Sequence, residues 1–290
     1  MAHLKLRRPE NVNGDFYVDT TCIDCDTCRW MTPEVFHSVD EQSAVYHQPT
    51  NEKERLAALQ ALLACPTSSI GTVEKPEDIK IAQESFPILV EENVYHCGYH
   101  SEKSYGASSY FIQHPEGNIL VDSPRFTPPL AKRFEEMGGI RYMYLTHRDD
   151  IADHQKFAEY FQCQRILHAD DITAGTRNVE IKLTGFEPFS LTADVLIIPV
   201  PGHSKGHTVL LYKNKFLFTG DHLAWSEDLH QLIAFRDFCW YSWTEQVKSM
   251  HKLANYSFEW VLPGHGRRFH ADVNIMHQQM HKCIEWMESM

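Results

Sequence analysis

Tyr144-Leu145-Thr146-His147-Arg148-Asp149-Asp150-Ile151-Ala152-Asp153-His154 is the stretch on which the reading of this chain turns. An apolar strand pattern, Ile140–Leu145, ends in Thr-His. Two acids crowd the loop that follows, and Asp153-His154 opens a helix pattern running through Phe161. Three further strand patterns end the same way. Pro201-Gly202-His203 follows Val195–Val200, Gly220-Asp221 follows Phe216–Phe218, and Pro263-Gly264-His265 follows Trp260–Leu262. Glycine and proline between strand and polar residue let the backbone turn, so that the side chains converge at one sheet edge. Singly, each is an ordinary loop residue in a chain with 18 histidines. Their ordered recurrence at strand ends is the signal. Four imidazoles and two or three carboxylates match a pair of divalent first-row metals sharing one bridging carboxylate.

The surrounding pattern is mixed α/β. Tyr110–Ile112 and Asn118–Val121 read as a hairpin, and Thr127-Pro128 caps a helix that stops at Gly138-Gly139. Arg165–His168 and Thr208–Tyr212 read as strands, and an amphipathic helix closes the chain. Met276, Met280, Cys283, Ile284 and Met287 form its buried face. Strands and helices alternating over some 200 residues predict one α/β domain of layered sheets. The aromatic stretch Phe235–Trp243 is expected to pack a helix over the site. His207 and His222 read equally as structural residues and as hydrogen-bonding partners of the ligands.

Cysteine is distributed differently. Of eight cysteines, four lie in the first 65 residues, as Cys22-x2-Cys25-x2-Cys28 and Cys65-Pro66. Three tightly spaced thiolates let one short loop wrap three corners of an iron–sulfur cube, leaving the fourth for a distant cysteine. Structural zinc usually pairs two such knuckles, and the sequence has no second one. Position 32, where a two-cluster protein carries another ligand, is Thr. Cys97, Cys163, Cys239 and Cys283 read as small buried hydrophobes. Between the cysteines, Asn51-Glu52-Lys53-Glu54 has the cap and acid of a capping box, opening a helix with Leu56, Leu59 and Leu63 on one face. That helix ends before Pro66. The breaker-rich stretch beyond it divides the chain into domains at 10–75 and 88–290, with a linker over 76–87.

With 290 residues and 43% hydrophobic content, the chain is long enough for two buried cores. Its net charge of −12 argues against a nucleic-acid or anionic-membrane partner. It has neither a signal-peptide core nor an apolar run of spanning length, so a cytoplasmic location is expected. Residues 9–50 carry eight acids and one base, Arg29. Such a face would steer toward a basic redox partner.

Two resemblances sharpen these expectations. Val18 to Gly71, with its three close cysteines, Pro33-Glu34-Val35-Phe36 and the late Cys-Pro, resembles the single-cluster [4Fe-4S] ferredoxins. This implies electron transfer, with Cys22, Cys25, Cys28 and Cys65 holding one cluster. Residues 88–270 resemble the metallo-β-lactamase superfamily, through Ile119-Leu120-Val121-Asp122, the loop 147–154, Pro201-Gly202-His203, Thr219-Gly220-Asp221 and Pro263-Gly264-His265. The implied fold is a four-layer αββα sandwich following the small ferredoxin-like domain. By position His147 and His203 would hold one metal, Asp153, His154 and His265 the second, and Asp221 would bridge. Asp122 resembles the family's supporting carboxylate.

The loop departs from the family's H-x-H-x-D-H. The second histidine is absent, and two extra residues precede the Asp-His pair. Asp149 or Asp150 is expected to supply an oxygen in its place, which moves the site from zinc toward iron or manganese. The flavodiiron oxidoreductases, a redox branch of the superfamily, also carry a carboxylate there. The expected function is a dinuclear metallo-hydrolase acting on a small molecule, with Asp149, Asp150 or Asp153 orienting the water and the ferredoxin domain serving electron transfer, regulation or docking. The alternatives are a ferredoxin-fed di-iron oxidoreductase and a non-catalytic iron–sulfur sensor.

Overall fold

The computed structural model describes residues 2–290. The first part of the chain folds around short elements. Strand Phe16–Val18 pairs antiparallel with Ile70–Thr72, and Phe36–Val39 pairs with Gln42–Val45. Helix Glu52–Ala64 begins as its sequence requires, since the Asn51 side chain accepts a hydrogen bond from Glu54 N at 3.0 Å. It ends at Cys65. Phe16, Val18, Val35, Phe36, Ala58, Leu59 and Ile70 form the core, with Cys28 and Cys65 at its margin.

The second part has two sheets. The first contains seven strands in the spatial order Ile181–Leu183, Gln164–His168, Tyr142–Tyr144, Ile119–Val121, Tyr110–Ile112, Val94–His96 and Ile88–Glu91. The second contains six: Phe189–Ser190, Val195–Pro199, Thr208–Tyr212, Phe216–Gly220, Trp260–Pro263 and Phe269–His270. Side chains alternate across each strand, which creates three apolar layers. Ile119, Val121, Tyr144 and Ile166 face Ile197, Leu210, Phe218 and Leu262 between the sheets. Leu120, Met143 and Leu167 point the other way, onto Leu130 and Phe134 of helix Pro128–Glu136 and Phe157 of helix His154–Phe161. On the opposite outer face, Val209, Leu211 and Val261 meet Met250 and Leu253 of helix Trp243–Leu253 and Met276, Met280, Cys283, Ile284 and Met287 of helix Val273–Glu288. The result is a helix–sheet–sheet–helix sandwich following a small cysteine-bearing domain.

Two expectations change. Residues 76–87 are not a loose linker: they contain helix Ile79–Glu84, whose Ala82 joins the first core, while Phe86 is buried in the second part. The aromatic stretch before Trp243 is a single 3-10 turn, Arg236–Phe238, with Phe238, Trp240 and Tyr241 exposed. No helix among the described residues is long and apolar enough to cross a membrane.

Candidate metal centre and cysteine cradle

The four early cysteines line one cavity together with Val18, Ile23, Thr27, Ser43, Thr67 and Ser69. Asp24 and Asp26, interleaved with the thiols, hold left-handed backbone at φ 59° and 61°, which curls the loop around that space. Polar groups point at sulfur. Ser43 N lies 3.5 Å from Cys22 Sγ and Ser69 N 3.3 Å from Cys65 Sγ. The Thr27 and Ser43 hydroxyls lie 3.4 and 3.2 Å from the sulfurs of Cys25 and Cys28. Burial pushes the Cys25 thiol up to about 11 and raises the Cys28 thiol well above its ordinary value. Four thiolates therefore fit here only beside compensating positive charge, which an iron–sulfur cluster carries. Nearby acids are partly spent within the fold: Asp24 and Asp26 each pair with Arg29 at 2.6 Å, and Asp26 reaches Arg267 of the second part at 3.0 Å.

In the sandwich, the ends of four strands bring His147, His203, Asp221 and His265 to one edge. Strand Ile119–Val121 ends in Asp122, which accepts hydrogen bonds from Thr146 N at 2.8 Å and Thr146 Oγ1 at 3.0 Å. Thr146 Oγ1 in turn contacts Nδ1 of His147 at 2.9 Å, leaving Nε2 for the site. His207 Nε2 accepts from Asp221 N at 3.3 Å and so positions the backbone of that acid. Gly202 is required by contact, since a Cβ there would lie 2.4 Å from Gln246 Cβ.

Two carboxylate oxygens flank the Nε2 atoms of His147 and His203. Asp149 Oδ2 lies 3.8 Å from His147 Nε2 and 3.6 Å from His203 Nε2. Asp221 Oδ2 lies 3.6 and 3.7 Å from the same nitrogens. An ion with ligands at ~2.0–2.1 Å in a tetrahedron separates them by ~3.4 Å, so the spacing suits a first-row metal after slight contraction. A second group lies behind it. Asp150, only 1% exposed, converges with His147 and Asp221, and His265 Nδ1 lies 2.7 Å from Asp221 Oδ1. Asp221 thus offers one oxygen to each group.

The electrostatics of these side chains follow from their burial and close spacing. Among the described residues, both oxygens of Asp150 and the Nε2 atoms of His147, His203 and His265 are buried without a hydrogen-bond partner. Such groups cost about 1–3 kcal/mol each when left unsatisfied. Burial, reinforced by the charge of Asp221, pushes the Asp150 carboxyl well up, and burial holds His147 down to about 4. Against its own desolvation, Asp221 drives His265 up to about 10.

Asp153 and His154 stand apart from this cluster, contrary to expectation. Asp153 Oδ1 contacts Lys103 Nζ at 2.8 Å and Lys156 Nζ at 3.2 Å, while Oδ2 accepts from Phe126 N at 3.0 Å. His154 Nδ1 lies 3.2 Å from Arg165 Nη1, a cationic neighbour that no metal ligand tolerates well. The loop's extra residues lie in the non-helical turn before helix His154–Phe161, and the pair falls at that helix start, where Asp153 and His154 find Lys103, Lys156 and Arg165 as partners. Asp150 occupies the space instead. Asp149 remains at the mouth of the site with its side chain 47% exposed. One organising residue escaped the sequence reading. Asp171 accepts from Arg148 N at 3.1 Å, from Gly206 N at 2.8 Å and from Ser204 Oγ, tying the two ligand loops together. Its signal was absent because it follows a strand as one of two adjacent acids in an ordinary turn.

Comparison with known proteins agrees with both halves. The family described as the 4Fe-4S single cluster domain of ferredoxin I matches residues 18–72. The sandwich resembles the solved structures of VMB-1 (TM-score 0.54, 17% identity, 69% of this chain and 95% of that one) and of the BLEG-1 B3 metallo-β-lactamase (0.52, 16%, 67% and 99%). It also resembles the DIM-1 metallo-β-lactamase exposed to ceftazidime (0.53, 19%, 68% and 95%). Residues 18–72 thus match the single-cluster 4Fe-4S ferredoxin family, and the sandwich that follows has the fold of the solved metallo-β-lactamases. Over 145 residues it is 27% identical to YmaE of Bacillus subtilis (strain 168), a protein described as uncharacterized, covering 48% of this chain and 53% of that one. The chain spans about half the length of this curated relative.

Proposed function

We propose that this protein is a metal-dependent hydrolase of small molecules. Its centre would hold two ions, one between His147, Asp149, His203 and Asp221 and the other against Asp150, Asp221 and His265. The observation that carries this reading is the convergence of buried, unpartnered imidazole nitrogens and carboxylate oxygens at coordination spacing. When bound, divalent ions lower the pKa of water and polarise a carbonyl or phosphoryl oxygen. The protein's own groups then have distinct tasks. Thr146 and His207 fix the orientation of His147 and Asp221. Asp149, open to solvent at the mouth, would orient the attacking water through the carboxylate oxygen that does not face His147 and His203. The exposed Trp240, whose ring centroid lies 6.4 Å from that of His203, and its neighbours Phe238 and Tyr241 offer an apolar rim for the body of a substrate.

A second reading is favoured by Asp149. An acid in place of an imidazole makes three carboxylates against three histidines, a hard donor set suited to iron. With iron in both positions and a cluster attached, the protein would be a ferredoxin-fed oxidoreductase. Anaerobic purification with metal analysis and EPR before and after dithionite separates the readings. The hydrolase predicts two zinc ions beside about four irons; the oxidoreductase predicts about six irons and a mixed-valence signal. A cluster-loaded protein that takes up no second metal would exclude both.

A further inference from the structure

We propose that Ser104-Tyr105-Gly106 forms an electron bridge, through which the iron–sulfur cluster sets the oxidation state of an iron held at the His265–Asp221 side of the metal centre. The inference rests on the metal-centre reading above but not on hydrolysis. Each of the three residues faces both cradles or joins the residue that does. Gly106, at φ +86°, presses its bare backbone onto the cluster loop: a Cβ at this position would lie 2.8 Å from Cys25 Cβ and 3.2 Å from Cys25 Sγ. Any larger residue would hold the two domains apart at this point. Tyr105 donates a hydrogen bond from its phenol to Ile23 O at 2.7 Å, and its ring centroid lies 6.4 Å from that of His265. Ile23 directly follows the ligand Cys22. The Ser104 hydroxyl donates to Asp149 O at 3.2 Å, in the loop that carries the metal-centre acids.

Successive Cα atoms are ~3.8 Å apart, so Ser104 and Gly106 are separated by at most ~7.6 Å. Between a cluster ligand and the metal-centre loops there is thus one short covalent run, closed at one end by the approach of Gly106 to Cys25 and at the other by the Ser104–Asp149 hydrogen bond and the approach of the Tyr105 and His265 rings. Tunnelling weakens exponentially with distance and is better supported by bonds than by gaps, so this is where an electron crosses. The segment is also fixed. Gly106 N donates to Ser101 O at 2.9 Å, and Gly106 O contacts His100 Nδ1 at 2.6 Å. Ser108 N donates to Gly264 O at 2.7 Å, and the Asp26–Arg267 pair clamps the same seam.

The step is a one-electron exchange. The reduced cluster, [4Fe-4S]+, becomes [4Fe-4S]2+, and a ferric ion becomes ferrous. No atom is transferred, and the electron comes from a low-potential one-electron donor outside the chain. A hydrolase whose iron works in one oxidation state would be switched by it; an oxidoreductase would be fed by it.

Two measurements on the cluster-loaded full chain test the bridge without any assay of turnover. First, the reduced cluster's EPR signal is saturated with microwave power, with Zn(II) or paramagnetic Co(II) in the second centre. Faster relaxation in the Co(II) form is expected, and identical saturation in the two forms overturns the proposal. Second, the ferric form is mixed rapidly with limiting dithionite. Bleaching of the cluster should recover in a phase whose rate is independent of protein concentration and which the Zn(II) form lacks; a recovery that speeds up with protein concentration overturns it. Gly106→Val should abolish that phase. Where this variant fails to retain its cluster, Tyr105→Ala, which leaves the bridging backbone in place, should slow it. An unchanged rate in a cluster-loaded variant refutes the route. A protein that takes up metal yet exchanges no electron overturns this inference alone, whereas one that takes up no second metal removes the reading beneath it as well.

Discussion

Gly264→Ala isolates the metal centre with a single methyl group. Gly264 sits between strand end and ligand, and its backbone accommodates alanine without conformational cost, so the effect is one of space. The new Cβ would lie 2.6 Å from Asp150 Oδ2 and 3.0 Å from Asp221 Oδ1. Ordinary contact begins near 3.4 Å, so Asp150 must retreat by ~0.8 Å and Asp221 by ~0.4 Å, whereas a metal site tolerates ligand displacements of only ~0.2 Å. Both acids therefore leave coordination range together. Affinity for the second ion should fall by at least the ~10–100-fold seen when ligand orientation is lost. The fold should survive, since overpacking of this kind costs ~1–3 kcal/mol. The assay is competition of the second centre against a chromophoric chelator in cluster-loaded protein, with iron analysis and thermal melting alongside. Wild-type affinity in a folded, cluster-loaded variant would refute the placement of Asp150 and Asp221 as ligands.

Further outcomes follow from the same geometry. Asp150→Asn should lose second-centre metal, whereas Asp153→Asn should keep it and instead lose ~1–3 kcal/mol of stability through its contacts with Lys103, Lys156 and Phe126, read by denaturant melts with metal analysis. Asp149→His should raise the centre's relative affinity for zinc over iron or manganese in competitive loading, compared with the wild type. Cys65→Ser should remove the cluster's visible absorbance without displacing metal from the sandwich. Burial and the neighbouring Arg165 hold His154 down to about 4 from an unfolded value of 6.5. Between these values the unfolded chain binds a proton that the folded chain refuses, so stability is full above pH 6.5 and falls as the pH drops toward 4. The loss is up to ~3 kcal/mol, and His154→Gln should flatten that segment of a stability–pH curve.

The sequence was most legible where one residue type must stand at one kind of position. Cysteine spacing defined the first domain, because a compact cluster demands a short loop. Strand ends punctuated by glycine or proline identified His147, His203, Asp221 and His265, because a turn is needed to aim a side chain over a sheet edge. Capping chemistry at Asn51 and the proline after Cys65 marked both ends of helix Glu52–Ala64. Short strands such as Ile88–Glu91 and Phe269–His270 were missed, since they are fixed by pairing with distant partners rather than by local pattern.

What the sequence alone determined was the set of available donors and the two folds that carry them. Where each acid stands was decided in three dimensions. Asp149, Asp150 and Asp153 are chemically identical, and only the turn of the loop distinguishes the one at the mouth, the one buried beside Asp221 and the one paired with lysines. The contact of Gly106 with Cys25 lay equally beyond the sequence. It joins residues 81 positions apart, and no local propensity records that two domains will meet there.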